Sequence, residues 1–178
     1  RDLLSLSKVE AKERRAPKKQ ADPVQIIKQA LDTGQRLATK SDKTLKVEID
    51  GPLQKIPGNN DDLVRVLINL LENAISYSRD GSVVRLTAKL VPTDNPLGKP
   101  ALQISVVDQG EGIPADEIPR LTERFYRVDK GRSRDAGGTG LGLAIVKHIL
   151  VRHRGRLEIY SVPDQGSEFQ IFLPLKNS

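Results

Sequence analysis

The sequence predicts an α/β domain in which helices pack on a β-sheet. Two observations predict it. Stretches with apolar residues at helical spacing are interspersed with stretches in which every second residue is apolar, and segments rich in glycine and proline separate them. In addition, the 178 residues are enough for one hydrophobic core with a short appendage.

Residues 1–22 are expected to form this appendage. Apolar residues in its first part form a stripe, at Leu3, Leu4, Leu6 and Val9. The stripe indicates the end of a helix over 1–15. Pro17 and the polar residues after it interrupt the pattern. We therefore expect a linker over 16–22 and a main domain over 23–178.

The main domain begins with a predicted helix and a predicted strand. Asp22 and Pro23 favour a helix start, because aspartate caps free N–H groups and proline suits the first turn. An apolar face carries this helix to about residue 40, through Ile27, Leu31, Leu37 and Ala38. Alternating apolar residues then predict a strand over 45–49.

A second helix is predicted from residue 60 onward. Its start carries residues that suit capping and the helix dipole, namely Asn60, Asp61 and Asp62. Apolar residues recur at helical spacing, at Leu63, Val66, Leu67, Leu70, Leu71 and Ala74. Asn69, Asn73 and Tyr77 are four residues apart, so they form one polar stripe beside the apolar face.

Two further strands are predicted on either side of a loop at about 92–100. The alternation covers 84–90 and 102–106. Because side chains alternate along a strand, Asp108 falls on the same inward face as the apolar residues before it.

A long irregular stretch, a third helix and a hairpin are predicted to complete the chain. Residues 113–137 show neither helical nor strand periodicity, and such a length inside a domain is typical of a lid or of disorder. A helix is predicted over 141–152 and is expected to end at Gly155. The hairpin turns at 163–166.

Asp108 is the first candidate binding residue. A buried carboxylate needs hydrogen-bond partners, and the exocyclic amine of adenine, directly or through water, is one. Gly110 and Gly112 are expected to let the backbone bend and to leave space for a flat base. The alternative, which these residues taken alone favour, is a tight turn capped by the aspartate side chain.

Gly138, Gly140 and Gly142 precede the third helix. Bare backbone N–H groups at a helix N-terminus form an anion site, and Thr139 would add a hydroxyl donor. A flexible hinge is the equally good alternative. The pattern is neither a P-loop, which needs Gly-Lys followed by Ser or Thr, nor a dinucleotide fingerprint.

Asn73 is the candidate magnesium ligand. An amide oxygen is a neutral, hard ligand suited to Mg²⁺ that already bridges phosphates. Asn69, one turn earlier, would orient water near the metal. The alternative is a pair of capping or surface amides.

Composition excludes several functional classes. The chain has no Cys, and therefore no disulfide, thiol chemistry or Cys-based metal site. No apolar run approaches the ~20 residues of a membrane span. The net charge of +6 is spread along the chain, and 3 Tyr and 3 Phe offer little base stacking, so no nucleic-acid partner is expected. We expect a cytoplasmic domain. The first residue is Arg and not Met, so we expect a fragment of a longer protein. Anchoring of that parent protein in the inner membrane is compatible with this sequence.

Five motifs, in order, resemble the catalytic and ATP-binding domain of bacterial sensor histidine kinases. This domain is a branch of the ATPase superfamily shared with gyrase, the chaperone Hsp90 and MutL. The similar motifs are NLLENAISYS at 69–78 (N box), DQGEGIP at 108–114 (G1 box), LTERFYRVD at 121–129 (F box), GGTGLGLAIVKHI at 137–149 (G2 box) and, more loosely, DQGSEF at 164–169 (G3 box).

Two other stretches extend the resemblance. RDLLSLSKVE, at 1–10, resembles the end of the second helix of the dimerisation and histidine-phosphotransfer hairpin. The stretch over 121–150 further resembles phosphate-regulon sensor kinases.

The resemblance implies a two-layer α/β sandwich of the Bergerat type, in which a mixed sheet packs against helices and ATP lies between the helices under a lid. It implies that Asn73 holds Mg²⁺, that Asp108 binds adenine, that Phe125 anchors the lid and that Asn69 is catalytic. Cationic side chains would stabilise the transferring phosphate, namely Arg127, Arg132 and Arg134. The other implied nucleotide contacts are Tyr77, Gly110, Gly112, Ile113, Lys130, Gly138, Thr139, Gly140, Leu141 and Gly142.

The chain departs from the family pattern in two ways. Ser76 stands where members usually carry Lys, so one phosphate contact is expected to be weaker or to move to Lys130 or Arg132. No acceptor histidine is present. His148 and His153 lie within and at the end of the G2 helix, outside the sequence context of a phosphoacceptor, and are interpreted as structural.

The sequence therefore predicts a kinase domain that transfers the γ-phosphate of Mg-ATP to a histidine on the dimerisation hairpin of the same protein, for relay to a response regulator. The parent would be a homodimer and this fragment a monomer. One alternative is an ATPase-driven module of the Hsp90 or MutL kind, but those relatives carry a Glu base where Asn69 stands, and an amide cannot take a proton. The full F box argues against an anti-sigma-type serine kinase. The intact Asn, Asp and Gly set argues against a nucleotide-binding pseudokinase.

Overall fold

The computed structural model describes residues 16–123 and 142–177. Within these ranges the chain forms a five-stranded sheet, a separate two-stranded pairing and three α-helices. In chain order the elements are β1 (Gln20–Ala21), α1 (Pro23–Lys40), β2 (Thr44–Asp50), β3 (Ile56–Pro57), α2 (Asn60–Tyr77), β4 (Val83–Val91), β5 (Ala101–Asp108), α3 (Gly142–Arg152), β6 (Arg156–Val162) and β7 (Gly166–Pro174).

The main sheet has the strand order β2-β4-β5-β7-β6. β2 runs parallel to β4, and α2 makes the crossover between them. The three other pairings are antiparallel. The predicted mixed sheet is therefore confirmed, with β5, which ends in Asp108, at its centre.

The helices and the sheet enclose one hydrophobic core. β4 shows how the sequence divides the sheet into two faces, because Val84, Leu86 and Ala88 are buried while Arg85 and Lys89 are exposed. The predicted α/β sandwich is confirmed in this arrangement.

The predicted helix starts are confirmed by their caps. The Asp22 side chain accepts a hydrogen bond from the Val24 N–H at 3.0 Å, and Pro23 occupies the first turn of α1. The side chain of Asn59, one residue before the predicted start, caps α2 by accepting from the Asp62 N–H at 2.9 Å. Both starts were predictable because a cap is a local feature of the sequence.

α3 ends before Gly155 as predicted, but the predicted reason, a left-handed glycine at the helix end, is wrong. The left-handed residue is Arg154, with φ of 60°. The Arg154 N–H donates to the Val151 carbonyl, and the Gly155 N–H reaches back to the Leu150 carbonyl at 2.8 Å. Gly155 is instead required by packing, since a Cβ there would lie 2.5 Å from the Phe172 carbonyl oxygen.

The segment predicted as a linker packs on the domain. Ala21 is fully buried, and β1 pairs with β3. The Pro17 carbonyl accepts a hydrogen bond at 3.1 Å from the Asn177 side chain, so the two ends of the domain meet at one corner. The division into appendage, linker and domain stays a prediction, and 1–15 lies outside the described residues.

In the parts of the chain that are described, no helix combines the length and the apolar character needed to cross a membrane. The predicted irregular stretch is described as far as residue 123, where it contains one short 3₁₀ turn at Ile118–Arg120.

Candidate functional site

The polar stripe predicted on α2 lies at the edge of the core. Asn69, Asn73 and Tyr77 are each half-buried, whereas the apolar residues between them are buried. Among the described residues, none is hydrogen bonded to the Asn73 side chain. Its amide oxygen therefore keeps its capacity to bind a ligand. Ser76, also half-buried, lies on the same helix.

Asp108 ends the central strand β5 as a buried carboxylate. It is 6% exposed, which confirms the inward placement predicted from strand alternation. The Gly110 N–H donates to its Oδ1 at 3.0 Å, and the Ser167 N–H also donates to the carboxylate. Burial raises the pKa of Asp108 to about 6, against the opposing effect of these two hydrogen bonds.

The glycines after Asp108 serve backbone packing. Gly112 has φ of 77°, so the expected bend is confirmed there. The expectation that the two glycines leave space for a flat base is wrong, because backbone fills the space that their side chains would occupy. A Cβ on Gly110 would lie 2.2 Å from the Tyr77 carbonyl oxygen, and one on Gly112 would lie 2.4 Å from that of Val162. Nucleotide binding by Gly110 and Gly112 stays a prediction.

A network of serines joins this loop to the β6–β7 hairpin. The Ile113 N–H donates to Ser161 Oγ at 2.7 Å, and Ser161 Oγ lies 2.9 Å from Ser167 Oγ. Ser167, which is 6% exposed, bonds to Asp108 through its N–H. Neither serine was predicted as a site residue from the sequence. The signal for Ser167 was its place in the loose G3 motif, and Ser161 gave none.

Gly142 is the first residue of α3 and lies beside the α2 stripe. The Asn69 Nδ2 donates a long hydrogen bond, 3.4 Å, to the Gly142 carbonyl. The helix α2 therefore contacts the start of the G2 helix through Asn69, and its C-terminal end pairs with the loop after β5 in the bridge between Ser78 and Gly110. The remaining predicted site residues lie outside the described residues, and these are Phe125, Arg127, Lys130, Arg132, Arg134, Gly138, Thr139, Gly140 and Leu141.

His153 has a structural role, as expected from its sequence context. It is 2% exposed, its Nδ1 lies 2.8 Å from the Ile149 carbonyl oxygen, and its Nε2 accepts from the Asn59 N–H at 3.0 Å. Burial lowers the pKa of His153, so the ring is neutral at physiological pH. His148 is a half-buried residue of α3, which agrees with its interpretation as a helix residue.

The described residues hold no cluster of three or more His, Cys, Asp or Glu side chains that would bind a metal without help. A bound Mg²⁺ would therefore need ligands from the nucleotide as well as from Asn73.

A separate groove of about 420 Å³ lies between α3, β6 and the 3₁₀ turn. Its lining includes Ile118, Lys147 and Tyr160, and none of the predicted site residues that the structure describes borders it. We locate the candidate site by the buried carboxylate and the exposed edge of α2, because these supply the chemistry that a nucleotide needs.

Comparison with known proteins shows the family of the chain. Residues 58–177 match the family described as histidine kinase-, DNA gyrase B-, and HSP90-like ATPase. The chain is 38% identical over 168 residues to the phosphate regulon sensor protein PhoR of Pseudomonas aeruginosa, covering 94% of this chain and 36% of that protein. It is 36% identical over 174 residues to the sensor-like histidine kinase SenX3 of Mycobacterium tuberculosis, covering 97% of this chain and 40% of that one.

Solved structures show the same fold. The mycobacterial sensor histidine kinase MprB superposes with a TM-score of 0.69 at 26% identity, covering 90% of this chain and all of that one. The catalytic domain of histidine kinase ThkA superposes with a TM-score of 0.74 at 21% identity, covering 89% of this chain and 95% of that one. The chain spans well under half the length of PhoR and SenX3.

Proposed function

The chain belongs to the histidine kinase-, DNA gyrase B- and HSP90-like ATPase family, and from this we infer that it is the ATP-binding catalytic domain of a two-component sensor histidine kinase. Relatives named as sensor kinases match nearly its whole length. We propose that the domain transfers the γ-phosphate of Mg-ATP to a histidine on the dimerisation hairpin of its parent protein, for relay to a response regulator.

The buried carboxylate of Asp108 carries the proposal of adenine binding. Two backbone N–H groups already bond to it, but a carboxylate offers about four acceptor positions. With a pKa of about 6 it is mostly ionised at neutral pH, so it is a strong, charge-assisted acceptor. The exocyclic amine of adenine is a donor that fits, whereas guanine presents a carbonyl oxygen at the same ring position and would be repelled.

The edge of α2 and the start of α3 support the phosphate end of the site. The Asn73 amide is half-buried and available as a hard oxygen ligand, so the residues present fit a magnesium ion shared with the phosphates. When bound, Mg²⁺ would neutralise phosphate charge. α3 is described from Gly142 onward, and the N–H groups in the first turn of a helix favour an anion. The proposed roles of Phe125, the arginines and Gly138 to Leu141 continue to depend on the sequence motifs.

The position of Asn69 favours transfer to a histidine over hydrolysis. Its amide donates to the Gly142 carbonyl and cannot take a proton from an attacking water. A histidine acceptor brings its own nucleophile, so a kinase needs no such base. This argues against the ATPase-type alternative.

We further propose that the parent protein is a homodimer that contributes the hairpin, while the catalytic domain itself is monomeric and works in the cytoplasm. Size-exclusion chromatography with light scattering tests the monomer directly.

Calorimetric titration with Mg-ATP tests the nucleotide site. Wild type should bind, and Asp108→Asn should bind about tenfold more weakly or worse, because a charge-assisted hydrogen bond contributes ~1.5–3 kcal/mol. Asp164→Asn is the matched control, since Asp164 is exposed in the β6–β7 turn and asparagine tolerates its φ of 66°. Equal affinity of wild type and Asp108→Asn would contradict the proposal that Asp108 binds adenine.

A transfer assay tests the kinase step. The domain should phosphorylate a separate protein that carries the cognate hairpin, giving an acid-labile, base-stable product. Transfer should be slow, because the tether that supplies effective concentration is missing. Phosphate release from ATP without transfer would favour the ATPase alternative. Labelling of His148 or His153 in the domain alone would contradict the interpretation of both as structural.

A further inference from the structure

The end of α3 that lies away from Asn69 is fastened to the start of α2. The Asn59 N–H, at the cap of α2, donates to His153 Nε2 at 3.0 Å. Beside it, Arg152 and Asp62 form an ion pair at 2.8 Å, with side chains that are 16% and 27% exposed. Because the Asn59 side chain also caps the Asp62 N–H, both contacts join the N-terminal end of α2 to the C-terminal end of α3.

The His153 ring is held in a single tautomer. Nδ1 donates to the Ile149 carbonyl, which leaves Nε2 as the acceptor for the Asn59 N–H. The charged groups that act on the ring are Asp62 and Arg152, whose effects on its pKa are opposite, and burial lowers that pKa further. A protonated ring would present an N–H to the Asn59 N–H, so the hydrogen bond between Asn59 and His153 requires the neutral ring.

The opposite end of α3 lies at the proposed phosphate site. The Gly142 carbonyl accepts from Asn69, and a Cβ on Gly142 would lie 3.9 Å from Asn69 Cγ. An 11-residue helix is about 16 Å long at a rise of ~1.5 Å per residue. A tilt of about 4° at the fastened end would therefore move the other end by about 1 Å, a displacement large enough to impair a reacting site.

We propose that His153 is a positioning residue for the phosphate site: by fixing the end of α3 against the cap of α2, it sets where the N-terminus of α3 lies relative to Asn69 and Asn73. The inference rests on the proposed nucleotide function and adds a residue to it. His153 should affect only the phosphate end of the nucleotide, because Asp108, the proposed adenine-binding residue, belongs to β5 and not to α3. Loss of the hydrogen bond between His153 and Asn59 should weaken binding of the phosphates and leave binding of the nucleoside unchanged.

Two substitutions at His153 separate the acceptor from the rest of the ring. The amide of His153→Gln reaches about as far as Nε2 and can accept from Asn59, whereas that of His153→Asn reaches only the position of Nδ1. We expect His153→Asn to bind Mg-ATP three- to tenfold more weakly by calorimetry and adenosine within twofold of wild type by nuclear magnetic resonance titration. His153→Gln should keep both affinities within twofold.

Two more variants cover loss of stability and failure to fold. Asp62→Asn breaks the ion pair at a partly exposed position and should weaken Mg-ATP two- to threefold without affecting adenosine. Val84→Ala destabilises the sheet core away from α3 and should leave both affinities unchanged below its melting temperature.

The outcomes separate this inference from the proposed function. Unchanged ATP affinity in His153→Asn and Asp62→Asn, with wild type binding normally, overturns only the positioning role. A parallel fall in ATP and adenosine affinity, matched by Val84→Ala, makes His153 merely structural. If His153→Asn does not fold, Asp62→Asn decides by the same criterion. If wild type binds no ATP, the proposed function fails as well.

Discussion

Removing the charge of Asp108 should change how the stability of the ligand-free domain depends on pH. The folded state raises the pKa of this carboxyl from 3.8 to about 6 through burial. Between these values the folded state keeps a proton that the unfolded state has lost, so Asp108 favours folding at low pH. That contribution is lost as the pH rises through about 6.

The magnitude follows from the two pKa values. The full shift corresponds to about 3 kcal/mol of destabilisation of the ionised form. Between about pH 5 and about pH 8, wild type should lose about 1.4 kcal/mol of unfolding free energy through this group alone. Asp108→Asn cannot titrate. Its amide has one acceptor oxygen, where the carboxylate has two, for the two backbone N–H groups. This loss costs about 1 kcal/mol, so the variant should still be the more stable protein at about pH 8.

Urea unfolding of both proteins at the two pH values checks the prediction. The quantity to compare is the difference in unfolding free energy between Asp108→Asn and wild type, which should increase by about 1.4 kcal/mol from about pH 5 to about pH 8. The lowered pKa of His153 also makes the stability depend on pH, but this residue is present in both proteins and its effect cancels in the difference. A difference that stays constant with pH would show that the carboxyl is not held in a desolvated site.

Two further predictions concern the same site. Asn73→Ala should abolish transfer to the hairpin while changing the melting temperature by only a few degrees, because Asn73 is half-buried and unbonded among the described residues; equal transfer rates would remove the magnesium role. Gly110→Ala should destabilise the domain by ~2 kcal/mol or more, since its Cβ would collide with a backbone carbonyl at 2.2 Å. Gly81→Ala, with φ of 74° and open space around it, should cost only the ~1 kcal/mol of backbone strain, and equal losses in thermal unfolding would contradict the packing argument.

The sequence predicted the features that depend on neighbouring residues. Helix starts at Asp22 and before Asn60 follow from capping, and the inward side of β5 follows from alternation. Asp108 could therefore be identified as a buried carboxylate from the alternation of apolar residues along its own strand.

Contacts between distant segments could not be predicted in this way. Nothing in the local pattern of β2 shows that it pairs parallel to β4. Gly110 and Gly155 carry signals of turns, yet each is required by a carbonyl from another part of the chain. The same holds for Ser161, whose hydroxyl accepts from Ile113, 48 residues away, and for the contact of His153 with Asn59.

The meeting of Pro17 and Asn177 has a mechanical consequence. The hydrogen bond between the Pro17 carbonyl and the Asn177 side chain holds the two ends of the described domain together, next to β1 and to the end of β7. Force that pulls these two ends apart would therefore act first on this hydrogen bond.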